Sequence, residues 1–252
     1  MAGGADAAVA GSEITVFPEA AMRFFGPPED DLTAIAEPLD GPFVETLSDA
    51  ARKHATFVVA GMIEKIEDAP DVYNTVVVVS PAGEVVGSYR KLHLFDAFDV
   101  LESTRVRPGD RTVVLPIGEH TVGLMACYDI RFPELPRALV DQGADVILVP
   151  SAWRQGMLKE DHWRTLIKAR AIENTVWMVG AAQVGGVYSG SSMIVDPMGA
   201  VRVSLGEEPG VAVASVDRNR TAAVRATLPV LLHRRFDVIM RRADRDGDAN
   251  VS

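Results

Sequence analysis

Ten short β-rich runs recur along the chain, and several are apolar at nearly every position rather than at alternate ones. They are "ITVF" (14–17), "TFVVAGMI" (56–63), "NTVVVVS" (74–80), "EVVGSYR" (84–90), "RTVVLP" (111–116), "HTVGLMA" (120–126), "DVILVP" (145–150), "VWMVGAAQ" (176–183), "SSMIVDP" (191–197) and "VAVASVD" (211–217). A strand with one wet face alternates; a continuous apolar run needs cover on both faces. Helical stretches to supply such cover lie between the runs. "PFVETLSDAARKH" (42–54) gathers Phe43, Leu47, Ala50 and Ala51 on one side, and "EDHWRTLIKARAIEN" (160–174) gathers Trp163, Leu166, Ile167 and Ala171. "SPAGEVV" (80–86) and "DPMGAVR" (196–202) each place Ser or Asp, then Pro, then Gly as a type I turn prefers. Hairpins and helical crossovers therefore coexist, and the class is α/β with mixed sheets.

The chain is 252 residues long and 48% hydrophobic, which suffices for a large core. No apolar run approaches the roughly 18 residues of a membrane span, so no membrane partner is expected. No linker rich in Gly, Pro or Ser breaks the body. Residues 1–240 read as a single domain, and "RRADRDGDANVS" (241–252) as a solvated, disordered tail. A net charge of −10 argues against nucleic acid, whose phosphates it would repel. "MAGGADAAVAGSE" has neither the basic nor the apolar segment of a secretory signal, and one cysteine suits a reducing compartment. A cytoplasmic location is expected.

That one cysteine, Cys127, lies in "ACYDIRFPEL" (126–135). A lone thiol is often no more than a small buried hydrophobe, so its surroundings decide. "TVGLMA" before it reads as a strand and "FPELPRALVDQG" (132–143) as a helix, with Pro133 and Pro136 in the first turn and Gly143 at the end. Cys127 then sits on a tight strand-to-helix turn, the logic of a nucleophile elbow, where backbone N–H groups can face a developing oxyanion. A thiol nucleophile needs a base, a cation or both. "ITVFPEA" ends a strand on Glu19, "GSYRKLHLF" ends another on Lys91, and "FDVLESTRVRPGD" carries Glu102 in a loop. Singly, each is a weak signal, because a charged side chain after a strand is usually just solvated.

Together, "FPEA", "YRKLHLF" and "CYDIRFPEL", in that order, resemble the nitrilase, or carbon–nitrogen hydrolase, superfamily and its Glu–Lys–Cys triad. The resemblance continues through "HWRTLIKARAIEN", "GSSMIVDPMG" and "LLHRRFD", nearly the whole chain. It implies a four-layer αββα sandwich with two mixed β-sheets, paired into homodimers or larger homo-oligomers. It also implies Glu19 as general base, Lys91 as oxyanion stabiliser, Cys127 as nucleophile, and Glu102 as the polar residue that orients the lysine. No metal and no cofactor is called for. The family opens with a strand and a long helix ahead of "VFPE"; here "ADAAVAGSE" resembles only that helix's tail. An N-terminal strand and helix thus look missing, which would leave an unpaired ladder beside Glu19.

"CYDIRFPEL" resembles the amidase branch that includes omega-amidases and deaminated-glutathione amidases, implying a small linear carboxamide as substrate. The N–H of Tyr128 is the expected second oxyanion donor, and Arg131 a possible anchor for a substrate carboxylate. Trp153 is placed either in the pocket lining or in the core, and an Asp129–Arg131 salt bridge is expected to brace the elbow. Burial is expected to raise the Glu19 pKa toward neutrality, and Lys91 to depress that of the thiol. A Cys–His catalyst using His93 competes with a structural role for that histidine. On the same triad, nitrile or N-carbamoyl hydrolysis is the alternative chemistry. A non-catalytic scaffold of the same fold is the alternative of another class.

Overall fold

The computed structural model describes residues 11–26 and 30–240. Its first sheet runs β1 (Ile14–Val16), β2 (Phe57–Lys65), β3 (Val72–Val79), β4 (Val85–Arg90) in spatial order. β1 is parallel to β2, and the remaining pairs are antiparallel. The continuous apolar character of β2 and β3 is explained by what covers each face. Val58, Ala60, Met62, Val77 and Val79 pack on Val44, Leu47 and Ala51 of helix α1 (Pro42–His54). Val59, Val76 and Val78, from the opposite face, join the core shared with the second sheet. Helix α1 starts on Pro42, whose missing N–H costs nothing there. Its buried face is Val44, Leu47, Ser48 and Ala51, one position round from the expected stripe, and Phe43 is left half-buried at the edge.

A two-stranded ribbon, β5 (Asp96–Ala97) with β6 (Val100–Leu101), follows the first sheet. The second sheet comprises β7 (Val114–Ile117), β8 (His120–Leu124), β9 (Val146–Ser151), β10 (Trp177–Ala182), β11 (Met193–Val195) and β12 (Val201–Ser204). Its order is β12-β11-β10-β9-β8-β7, with β8, β9 and β10 parallel to one another and antiparallel pairs at both edges. Helices α2 (Glu134–Asp141) and α3 (Lys159–Asn174) cover it. They sit so close that a Cβ on Gly123 would meet Leu139, and one on Gly180 would meet Ile167 and Trp163. Helix, sheet, sheet and helix therefore stack in four layers. Both expected turns close hairpins, with Gly83 N–H donating to Ser80 O and Gly199 N–H to Asp196 O, each at 2.8 Å. Helices α4 (Arg218–Thr227) and α5 (Val230–His233) complete the described chain.

Two expectations need correcting. Residues 211–217 form no strand: no neighbour supplies a ladder, and Val211, Val213 and Ser215 face solvent, so β propensity has nothing to pack against. The helix expected over 132–143 forms as the shorter α2 (Glu134–Asp141), and a 3₁₀ turn, Cys127–Arg131, that was not expected precedes it. β1 is an edge strand of its sheet, and among the described residues no strand pairs with its outer side. The tail at 241–252 and most of "ADAAVAGSE" lie outside the described residues. No helix among the described residues is long and apolar enough to cross a membrane.

Candidate active site

Parallel strands β1, β8 and β9 all end on the same side of the sandwich, and the chain leaves each of them into one crevice. After β1, Phe17 N–H still donates to Val59 O (2.7 Å), and Gly61 N–H then donates to Pro18 O (3.1 Å). This leads Glu19 directly over Gly61 of β2. A Cβ at Gly61 would lie 2.6 Å from the Glu19 Cα, so only glycine admits the approach. Glu19 is 3% exposed and fully engaged. Its Oε1 accepts from Asn74 Nδ2 (2.8 Å) and Lys91 Nζ (3.0 Å), and its Oε2 from the Ala152 N–H (2.8 Å). Gln183 Nε2, beyond β10, donates to the Glu19 carbonyl (3.1 Å), tying the two sheets together at this residue.

Lys91 follows β4, and its backbone N–H still donates to Asn74 O (2.9 Å). Its ammonium donates to Glu102 Oε2 (2.9 Å) and Oε1 (3.2 Å) as well as to Glu19. Glu102 opens a 3₁₀ turn (Glu102–Thr104) and also accepts from the Phe95 N–H (2.6 Å) and Asn74 Nδ2 (2.9 Å). Asn74 therefore spans both carboxylates, a role that sequence reading missed. Its signal was present: one amide inside the run "NTVVVVS" is a buried polar group that requires partners.

Cys127 adopts φ +45°, rare for a residue with a side chain, at the start of its 3₁₀ turn. Backbone strain of this kind persists only where the surroundings fix it. Here they do so through Asp129, which is fully buried. Its Oδ2 accepts from the Ala126 N–H (2.9 Å) and Tyr89 Oη (2.6 Å), and its Oδ1 accepts from the His93 N–H (3.0 Å) and meets His93 Nδ1 (2.8 Å). The elbow is braced by His93 and Tyr89, not by the expected Asp129–Arg131 salt bridge. His93 stacks on Phe132 at 3.8 Å and serves this brace. The thiol faces Glu19, and beside it lies Ser151 Oγ, buried with no oxygen or nitrogen partner.

The electrostatics reverse two expectations. Burial alone would raise the Glu19 carboxyl, but the Lys91 charge and hydrogen bonds from Asn74, Cys127 and Lys91 outweigh it and hold the pKa below its ordinary value. Burial would likewise lower Lys91, yet Glu102 and Glu19 keep it well above the usual lysine range. Burial and then the Glu19 charge push the Cys127 thiol strongly up, more than Lys91 pulls it down. The resting site is thus a neutral thiol beside a carboxylate–ammonium–carboxylate chain.

These groups open into a cavity of about 110 Å³. Tyr128, Arg131 and Trp153 line it with Phe95, Lys159 and Tyr188. The Tyr128 ring packs edge-on to Phe95 and Phe132, and its N–H falls in the first turn of the 3₁₀ helix, where no intrahelical partner is available. Trp153 is both lining and core: its Nε1 donates to Lys159 O (2.7 Å) and its ring meets Trp163 at 5.4 Å. Arg131 lies over the Trp153 ring at 4.7 Å. Residues 2–226 match the family described as carbon–nitrogen hydrolase.

The chain belongs to that family. It is an enzyme of the amidase type. It is 38% identical over 222 residues to the deaminated glutathione amidase of Escherichia coli O157:H7, covering 88% of this chain and 84% of that one. It is 36% identical over 250 residues to the deaminated glutathione amidase of Homo sapiens, covering 92% and 75%. Among solved structures it superposes with TM-score 0.82 on XC1258 from Xanthomonas campestris, a CN-hydrolase superfamily protein with an arsenic adduct in its active site (25% identity; 90% and 86% covered). It superposes with TM-score 0.74 on a mutant of the amidase from Nesterenkonia sp. AN1, in which acrylamide has added to the active-site cysteine (26%; 92% and 90%).

Proposed function

We propose that this hydrolase releases ammonia from a small linear carboxamide through a thioester on Cys127. The observation that carries the reading is the shared hydrogen-bond chain of Glu19, Lys91 and Glu102 facing a thiol on a strained turn. Glu19 rests ionised, so it takes the thiol proton as sulfur attacks the amide carbon. The oxyanion that forms is held by Lys91 Nζ and the Tyr128 N–H. Glu19 then passes the proton to the departing nitrogen, ammonia leaves, and a thioester remains. Water, deprotonated by the same glutamate, attacks it; the acid departs and the thiol is restored. Each step moves one proton to or from Glu19, and Lys91 stays charged throughout because Glu102 still holds it while Glu19 carries the proton. Glu102 positions that lysine. Support also comes from the Nesterenkonia amidase mutant, whose active-site cysteine has taken up acrylamide, since Cys127 is the one cysteine here.

The preferred substrates are ω-amides of short keto or dicarboxylic acids, in keeping with relatives named deaminated glutathione amidases and with Arg131 at the cavity wall. The enzyme acts as a single domain over residues 1–240 in a reducing, cytoplasmic setting. A panel of ω-amides, matched nitriles and N-carbamoyl amino acids, read by ammonia release, tests this. The ω-amides are expected to give the highest kcat/KM. A nitrile or carbamoyl compound in first place overturns the substrate assignment and leaves the triad chemistry standing.

A further inference from the structure

The cavity is electrically divided. At one end Glu19 and Glu102 outnumber Lys91, and their oxygens are taken up by Lys91, Asn74, Ala152 N–H and Phe95 N–H. At the other end Lys159, Arg131 and Arg154 line the wall, and none of the three forms an ion pair with a carboxylate of the described residues. Lys159 is the most enclosed of them, at 6% exposed. Its Nζ lies 4.9 Å from the Phe95 ring centre, 4.8 Å from that of Phe98 and 6.0 Å from that of Trp153. Arg131 sits on the same indole at 4.7 Å, and its Nε is buried with no hydrogen-bond partner. Two cations therefore share one aromatic ring with no anion between them.

Such an arrangement is costly unless something negative completes it. Aromatic faces offset only a small part of a cation's lost hydration. Consistently, burial and then the neighbouring guanidinium groups lower Lys159, although Cys127 and Glu160 pull the other way. Glu160, next in sequence, makes no ion pair with it.

We propose that Lys159, at the start of α3, is the residue that selects a carboxylate-bearing substrate, gripping that carboxylate together with Arg131 while the amide lies at Cys127. This rests on the amidase reading above and adds to it the residue that sets specificity. The loop places Lys159 with care: Leu158 is held at φ +57°, and Trp153 Nε1 pins the Lys159 carbonyl. The side chain is thereby turned inward from a segment whose neighbours Met157 and Leu158 are exposed. A neutral amide would fill the same space and leave both cations unpaired, which is discrimination by desolvated charge.

Calorimetric binding of glutarate and of the uncharged 1,5-pentanediol, neither of which has a carbon–nitrogen bond to hydrolyse, tests this without requiring turnover. The wild-type protein is expected to bind glutarate at least about tenfold more tightly, a typical scale for a charge-assisted contact. Lys159→Met is expected to remove most of that preference, and in turnover of glutaramate to raise KM with kcat little changed. Equal wild-type affinity for the two ligands overturns the proposal, as does an undiminished preference in Lys159→Met with a wild-type melting profile. Lys159→Gln replaces Lys159→Met should the latter not fold. If no amide releases ammonia but the glutarate preference still follows Lys159, the catalytic reading falls and the subsite stands.

Discussion

Cys127 rests as a thiol because it is buried and because of the charges around it. Glu19 and Glu102 already set two negative charges against the single ammonium of Lys91, and a thiolate would add a third. Nucleophilicity is then created during attack, when Glu19 accepts the proton. Glu19→Gln keeps the shape but removes the acceptor, and is expected to lower kcat by about 10²–10⁴-fold in an ammonia-release assay; an effect confined to KM would assign Glu19 to substrate binding instead. The same charges predict a pH effect on stability. The folded thiol titrates above its ordinary value of 9.0. The unfolded chain therefore sheds this proton first as pH rises past that value, and the contribution of Cys127 to stability is lost progressively above it. Wild-type protein is expected to lose melting temperature in that range more steeply than Cys127→Ala. Parallel curves would show a thiol of ordinary pKa. Glu19, Lys91 and Cys127 stood at strand ends and Glu102 in a loop, and it was the resemblance to a family that gathered the four into one site. The directions of the Glu19 and Cys127 pKa shifts were not legible, because they depend on burial and on partners distant in sequence, Lys91 and Asn74 for Glu19 and Glu19 itself for Cys127.

At the scale of elements, the strands were the most legible part, because β2, β3 and β9 are apolar on both faces and nothing but a covered sheet accommodates that. The two hairpins followed from turn chemistry. What escaped was set by neighbours. "VAVASVD" has strand composition but no ladder to join, and the α1 stripe rotated by one position because Ser48 is buried in place of Ala50. The brace of the elbow was also hidden, since His93 and Tyr89 reach Asp129 from 36 and 40 residues away. Gly61 shows how an element positions a catalytic group. A methyl there would press on the backbone of Glu19, so Gly61→Ala is expected to cost about 1–3 kcal/mol of stability, the usual range for overpacking. It should also lower kcat by displacing the carboxylate. Unchanged kcat together with unchanged melting would mean that Glu19 does not depend on this close approach.

At the scale of the whole molecule, the described chain ends in a segment that packs Leu231 on the core but turns three large apolar side chains outward: Leu232, Phe236 and Ile239 are 84%, 88% and 86% exposed. Large apolar side chains gathered in one segment are unusual on a lone protomer, and we propose that they pack on a second copy in a closed homo-oligomer. Light scattering at micromolar concentration is expected to give at least a dimer, and Phe236→Ser to shift it toward monomer; a wild-type monomer would contradict this. Both sheets contribute to the crevice, Glu19 and Lys91 from the first and Cys127 and Ala152 from the second, so the chemistry belongs to the sandwich as assembled. The most direct test of the whole account is ammonia release by Cys127→Ala from an ω-amide that the wild type hydrolyses. A thiol-to-methyl change leaves the fold nearly undisturbed, so melting near neutral pH should match the wild type while turnover disappears. Wild-type turnover by Cys127→Ala would contradict the thioester mechanism outright.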